Sequence, residues 1–214
     1  MRTVSRVALV VSPLYVAVLL VSVLAVRARA ADPLRVVLLV DSSTNMSTML
    51  TEFRAGLTAF IEALPDDVEV AFISTGGQLR VRVPPTTDKL RLLDAAGRFS
   101  SDGGANSFLE TLLESDRRFL KSAPDRRGLF VVMTTDQPTL GEQPINRYND
   151  FMRDFVRRRG RAHGVVIRTA RMGLASEILE NMTTNTDGLY DVLAVGNSLP
   201  TRMKAIAAEV AAQQ

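Results

Sequence analysis

The 214-residue chain has no cysteine, no tryptophan, one histidine (His163) and three lysines (Lys89, Lys121 and Lys204). The missing cysteines exclude disulfides, thiolate metal sites and lipid attachment through a cysteine thiol. A single histidine leaves a serine hydrolase one candidate base. With 46% hydrophobic and 23% charged residues the composition is that of a globular domain, whose stability must come from its core alone.

The first thirty residues have no acidic side chain, and they differ from the rest in what they contain. Arg2 and Arg6 precede the apolar stretch VALVVSPLYVAVLLVSVLAV, and Ala28-Arg29-Ala30 closes it. A basic start, an apolar middle and a small-x-small exit predict a secretory signal over residues 1–30, cleaved after Ala30. The alternative is an uncleaved membrane anchor, since an apolar run of this length can span a bilayer. Arg2, Arg6, Arg27 and Arg29 all lie in this segment. Removing those four from the 26 basic residues leaves 22 against 23 acids, a balance of −1. The basic character belongs to the targeting segment, and it argues for no nucleic-acid partner. The expected location is exported, periplasmic or secreted, with a membrane association only if the segment is retained.

From Leu34 onward, apolar strand-like runs alternate with amphipathic helical patterns. RVVLLV (35–40) and GLFVVMTT (128–135) are continuously apolar, as strands buried on both faces are. Leu50, Phe53, Leu57, Phe60, Ile61 and Leu64 share one helical face, ended by Pro65. VEVAFIST and LRVRVP flank Gly76-Gly77 and predict a hairpin, so one strand runs antiparallel. Its alternating Arg80 and Arg82 suit an edge strand with one wet face. Helices are expected over 88–98, from a Ser107/Glu110 capping box, up to Gly160 as the terminating residue, and from Ser198 with Pro200 in the first turn. The basic run RDFVRRRGR reads as a solvated helix end. The pattern predicts an α/β fold: a doubly wound, mainly parallel six-stranded sheet with one antiparallel edge strand and helices on both faces.

In such sheets ligands bind beyond the carboxyl ends of strands, where the strand order reverses. Asp41 ends the first apolar run and Asp136 follows another. On neighbouring strands at the switch point, the two carboxylates would face one crevice and repel unless a cation or a proton neutralised one. The plainer alternative is that Asp41 and the hydroxyls after it cap the following helix.

Three loops in order then resemble a known family. DSSTNM (41–46) resembles the Asp-x-Ser-x-Ser motif of von Willebrand factor A domains, the metal-ion-dependent adhesion site. DGGANSFLETL (102–112) resembles the family's second loop, and VVMTTDQP (131–138) its third. The resemblance runs from Leu34 to about Ala212, and it implies a von Willebrand factor A-like domain with a Rossmann-like sheet. It also implies metal ligands at Asp41, Ser43 and Asp136, with Asn45 in place of a second serine. Ala105 stands where the family has threonine and supplies no oxygen; Asn106 or Ser107 are the neighbouring substitutes. The implied ion is Mg²⁺, or Mn²⁺ or Ca²⁺, held by oxygen ligands and retained water.

The implied work is recognition. A partner protein's Asp or Glu side chain completes the coordination, Gln137 lies beside that position, and Thr44, Met46, Ser47 and the loop QPTLGEQPINR form the contact rim. Two other readings are a metal-free interaction domain using another surface and a metal-assisted hydrolase built on Asp41 and Asp136. The turn after the first strand lacks the glycines a dinucleotide site needs. His163 lies at the opposite end of its strand from Ser42 and Ser43.

Overall fold

The computed structural model describes residues 33–136, 145–168 and 173–213. Six strands build one sheet: β1 (Leu34–Val40), β2 (Glu69–Ser74), β3 (Arg80–Thr86), β4 (Arg127–Asp136), β5 (Arg161–Arg168) and β6 (Tyr190–Leu193). Their spatial order is β3-β2-β1-β4-β5-β6. All neighbours are parallel except β2 and β3, which pair antiparallel. The predicted fold class is therefore observed, edge strand included. Chain order runs one way from β1 to β3 and the other way from β4 to β6, so the reversal falls between β1 and β4.

Alternation within each strand explains the uninterrupted apolar runs. Val36, Leu38 and Val40 of β1 face helices α1 (Leu50–Ala63), α2 (Lys89–Gly97) and α6 (Leu199–Ala211), where Phe53, Leu57, Phe60, Leu92 and Met203 are buried. Val37 and Leu39 face the other way, into a second core with α3 (Phe108–Ser115), α4 (Ile145–Arg157) and α5 (Leu174–Thr184). Each strand residue leaves water on one side or the other, and at about 25 cal/mol per Å² of buried apolar surface this drives the three-layer arrangement. Among the described residues no helix is long and apolar enough to cross a membrane. The expected signal, residues 1–30, lies outside the described residues.

Several local expectations change. The hairpin connection runs from Thr75 to Leu79, and Gly77 (φ 67°) takes the left-handed turn. Ser107 occupies the N-cap of α3, yet its hydroxyl donates to Gly77 O (3.0 Å) and makes no cap bond. The capping box is therefore not formed; tying two loops together uses the hydroxyl instead. Helix α4 is closed by Arg159 (φ 57°), not Gly160. Gly160 N donates to Phe155 O (2.9 Å) and Arg159 N to Val156 O (2.9 Å), the paired bonds of a Schellman end. Gly160 is small for a different reason: a Cβ there would meet the Phe155 ring at 2.2 Å. In the basic run, Arg158 is not simply solvated; it donates to Asp116 (2.7 Å) and Asp154 (3.0 Å).

The two sheet edges differ in kind. β3 carries Arg80 and Arg82 and then Pro84-Pro85, whereas β6 has only four residues. Arg80 is exposed, as the wet-face reading expects, but Arg82 is turned inward against Asp102 with its side chain 17% exposed.

Candidate functional site

Asp41 follows the last residue of β1, and Asp136 is the last residue of β4. These strands are neighbours, so both acids stand at the carboxyl edge of the sheet where the order reverses. Both are buried, Asp41 at 1% exposure and Asp136 at 0%.

The Asp41 carboxylate is surrounded by donors. Its Oδ1 accepts from Ser43 N (2.8 Å), and its Oδ2 accepts from Thr135 N (3.1 Å) and from the Thr135 hydroxyl. The Ser43 hydroxyl also bonds to it. Burial raises the Asp41 pKa, against the opposing hydrogen bonds of Thr135 and Ser43. Ser43 sits at the N-cap of a 3₁₀ turn, Thr44–Met49, but no side chain caps that turn. The helix-cap reading thus reduces to one bond, donated to Asp41 by the amide two residues on. Most of the carboxylate's bonding goes elsewhere: to its own loop's hydroxyl and across to β4.

The remaining expected residues divide. Ser43 is fully buried beside Asp41, whereas Asn45, Thr44 and Ser47 are exposed on the same turn. Met46, expected on the contact rim, is instead fully buried in the core. In a turn of three residues per revolution it points opposite its exposed neighbours. Asp136 Oδ1 accepts from Gly173 N (2.5 Å), which ties the tip of β4 to the start of α5. Gln137 and the loop residues 137–144 lie outside the described residues.

The second loop is bound into the first. Asn106 accepts from the Thr75 hydroxyl (2.6 Å) and donates to Thr134 Oγ1 (2.8 Å), which commits its amide to the hairpin connection after β2 and to β4. Gly103 and Gly104 both have left-handed φ (77° and 70°), and Gly104 O accepts from Thr44 N (3.0 Å). Ala105 is exposed and brings no oxygen.

Two residues that build the candidate site are not evident from the sequence. Thr135 precedes the conspicuous Asp136 and holds Asp41 twice; a polar pair ending an apolar strand was its only signal. Asp102, in what reads as a plain SDGG turn, has a side chain only 3% exposed. It accepts from Ser42 Oγ (2.8 Å), Ser74 Oγ (2.9 Å), Arg82 (2.5 Å) and Arg80 (2.6 Å). Burial alone would raise its pKa, but the bonds of Ser42 and Ser74 and the charges of Arg82 and Arg80 outweigh that and lower it. His163 lies near the start of β5, far along the strand from the carboxyl edge, with Nδ1 accepting from Leu189 N (2.9 Å). It is no base for Ser42 or Ser43.

The donor set suits a hard cation in part. A hydroxyl that gives its hydrogen to Asp41 keeps oxygen lone pairs for an ion, so Ser43 and Thr135 can present oxygen while Asp41 supplies charge behind them. Asp136 adds a second carboxylate at the next strand end. Ala105 adds nothing, and Asn106 is occupied.

A doubly wound sheet with its polar loops gathered at the β1/β4 reversal defines a von Willebrand factor A class of fold. The sequence profile of the von Willebrand factor type A domain matches residues 36–138, and the chain carries such a domain. Solved structures agree over most of the chain at low identity. A von Willebrand factor type A protein from Catenulispora acidiphila superposes with TM-score 0.69 at 16% identity, covering 83% of this chain and 42% of that one. Proximal thread matrix protein 1 from the mussel byssus, with a zinc-occupied adhesion motif, gives TM-score 0.65 at 10% identity, with 84% and 46% covered. An aerotolerance-related membrane protein from Bacteroides fragilis gives 0.59 at 12%, with 82% and 99% covered. The chain thus spans less than half of the first two proteins. No curated protein sequence matches it.

Proposed function

We propose that this protein is an exported recognition module that binds a partner protein through the carboxyl-edge face around Asp41 and Asp136. Domains of this family generally mediate protein–protein interaction. The observation that carries the reading is the Asp41 carboxylate, buried and ringed by the hydroxyls and amides of Ser43 and Thr135 at the strand reversal. A divalent cation, Mg²⁺ or Mn²⁺ before Ca²⁺ because the oxygen set is small, would be held by Ser43, Asn45 and Asp136 with Asp41 behind them. The partner's acidic side chain would complete its shell. Export rests on the N-terminal sequence pattern, and the similarity to a membrane protein is compatible with it.

A second reading has support of its own. Ala105 gives no ligand and Asn106 is bonded to Thr75 and Thr134, which favours a face that recognises its partner without an ion. The deciding experiment is a structure determined in millimolar Mn²⁺, with anomalous scattering recorded at the manganese edge. A peak bonded to Ser43 or Asp136 supports the cation-dependent form; a clean map at that face with ordered side chains eliminates it.

A further inference from the structure

The residue that shapes the candidate face is not one of its ligands. Asp102 lies sixty positions from Ser42 in sequence, yet residues 101–104 run against residues 42–44 as a continuous clamp. Asp102 N donates to Ser42 O (2.8 Å) and Thr44 N to Gly104 O (3.0 Å). The Ser101 hydroxyl is shared between Ser42 O (3.0 Å) and Ser43 O (3.1 Å), and Gly103 N donates back to that hydroxyl (3.1 Å). The Asp102 carboxylate takes the Ser42 hydroxyl, which in turn accepts from Gly76 N (2.8 Å).

This arrangement divides the work of two adjacent serines. The Ser42 hydroxyl is drawn inward to Asp102, and the Ser43 hydroxyl is left to Asp41. A carboxylate with so little exposure needs compensating charge, and the edge strand supplies it. Arg80 and Arg82 both pair with Asp102, and Arg82 also donates to Ser74 Oγ (2.9 Å) and lies 5.3 Å over the Phe99 ring. A network of this kind fixes geometry because every member is satisfied. It runs from the outer strand of the sheet to the loop that carries the first two candidate ligands.

We propose that Asp102 is a positioning residue: through Ser42 it sets the first loop so that the Ser43 hydroxyl stays on the Asp41 carboxylate at the sheet's carboxyl edge, and Arg80 and Arg82 of β3 fix Asp102 in place by their ion pairs. The inference rests on the reading of this face as the recognition site, and its test separates the two. Ser42→Ala removes the link, together with the acceptor of Gly76 N, and leaves Asp102 with Ser74 and its arginines; Asp102→Ala removes the hub. Hydrogen exchange is followed at the Ser43 and Thr44 amides, neither of which bonds to the Ser42 hydroxyl. Free Mn²⁺ is measured by electron paramagnetic resonance. We expect exchange at both amides to quicken at least tenfold in each variant, with β1 and β4 amides unchanged in Ser42→Ala, and Mn²⁺ affinity to fall at least fivefold although Ser42 is not a ligand. If wild type takes up no Mn²⁺, the cation reading fails and the exchange result alone decides the positioning role. Wild-type exchange at Ser43 and Thr44 in a folded Ser42→Ala protein overturns it, as does undiminished Mn²⁺ affinity where wild type binds the ion.

Discussion

Thr135 grips the Asp41 carboxylate with both its backbone N–H and its hydroxyl, so the tips of β1 and β4 are joined through one buried acid. Thr135→Val keeps the shape and removes the hydroxyl donor. The expected loss is about 1–3 kcal/mol, the cost of stripping a hydrogen bond from a buried charged group. The sign of its pH dependence follows from Asp41, whose folded pKa is raised. Native protein takes up the proton more readily than unfolded chain, so Asp41 favours folding at low pH and loses that contribution as pH rises. The Thr135→Val penalty should therefore be larger in urea melts at pH 7.5 than at pH 4.5. An equal penalty at both would contradict the assignment.

Divalent ions test the face directly. Binding to the folded state alone contributes about 2.7 kcal/mol at a hundredfold excess over Kd, which for a domain of this size is a rise of several degrees in Tm. Mg²⁺ or Mn²⁺ should raise Tm in wild type, and Asp41→Asn, which keeps the shape, should abolish the rise. Ala105→Thr should enlarge it by restoring a hydroxyl. A response confined to Ala105→Thr would mean that the frame persists without its ion.

His163 should give the protein an acid-sensitive limb. Burial, aided by the nearby Arg161 charge, lowers its pKa to about 4 from 6.5. The unfolded chain then binds a proton that the folded one refuses, so this contribution is full above pH 6.5 and is lost as pH falls toward 4. At 1.36 kcal/mol per unit the full loss is about 3–4 kcal/mol. His163→Asn, whose Oδ1 can accept from Leu189 N, should flatten the difference in stability between pH 7 and pH 4.5. Parallel stability curves for variant and wild type would refute the attribution.

Arg159→Gly should stabilise. A left-handed residue with a Cβ costs roughly 1–2 kcal/mol, and the extra freedom of glycine in the unfolded chain returns part of that. A net gain of about 0.5–1 kcal/mol in chemical denaturation is expected; a loss would show that the Arg159 side chain has a role the fold does not reveal.

Export predicts a mature N-terminus at Ala31. Sequencing of the exported protein checks this, and a membrane-bound product that still begins at Met1 would replace cleavage with anchoring.

The chain declares its layers more readily than its site. The runs Val36–Val40 and Leu129–Met133 are legible because burial on both faces leaves no polar position, and the strands that carry them, β1 and β4, each lead to an acid at the sheet's carboxyl edge. The antiparallel edge shows itself in Arg80 and Arg82 alternating with valines. What escaped depends on contacts between distant segments. The Asp102 bond to Ser42 spans sixty residues, and nothing local separates a buried aspartate in a glycine turn from a solvated one. Met46 was hidden for a smaller reason: the six-residue 3₁₀ segment Thr44–Met49 shifts the phase between strand and helix. Ser107 satisfied a capping pattern, but a competing carbonyl at Gly77 took its hydroxyl.

Pro84 and Pro85 have a consequence for how copies of this chain meet. An outer strand with free N–H groups is a template on which another strand can crystallise, and long flat edges seed such growth. Proline offers no N–H, so Pro84-Pro85 interrupts that template on β3. At the far side β6 is four residues long, too short for a stable added ladder. Neither flank invites a stray strand. On the proposed reading, contact is steered away from the backbone, which would accept any sequence, and left to side chains at the loops, which can choose.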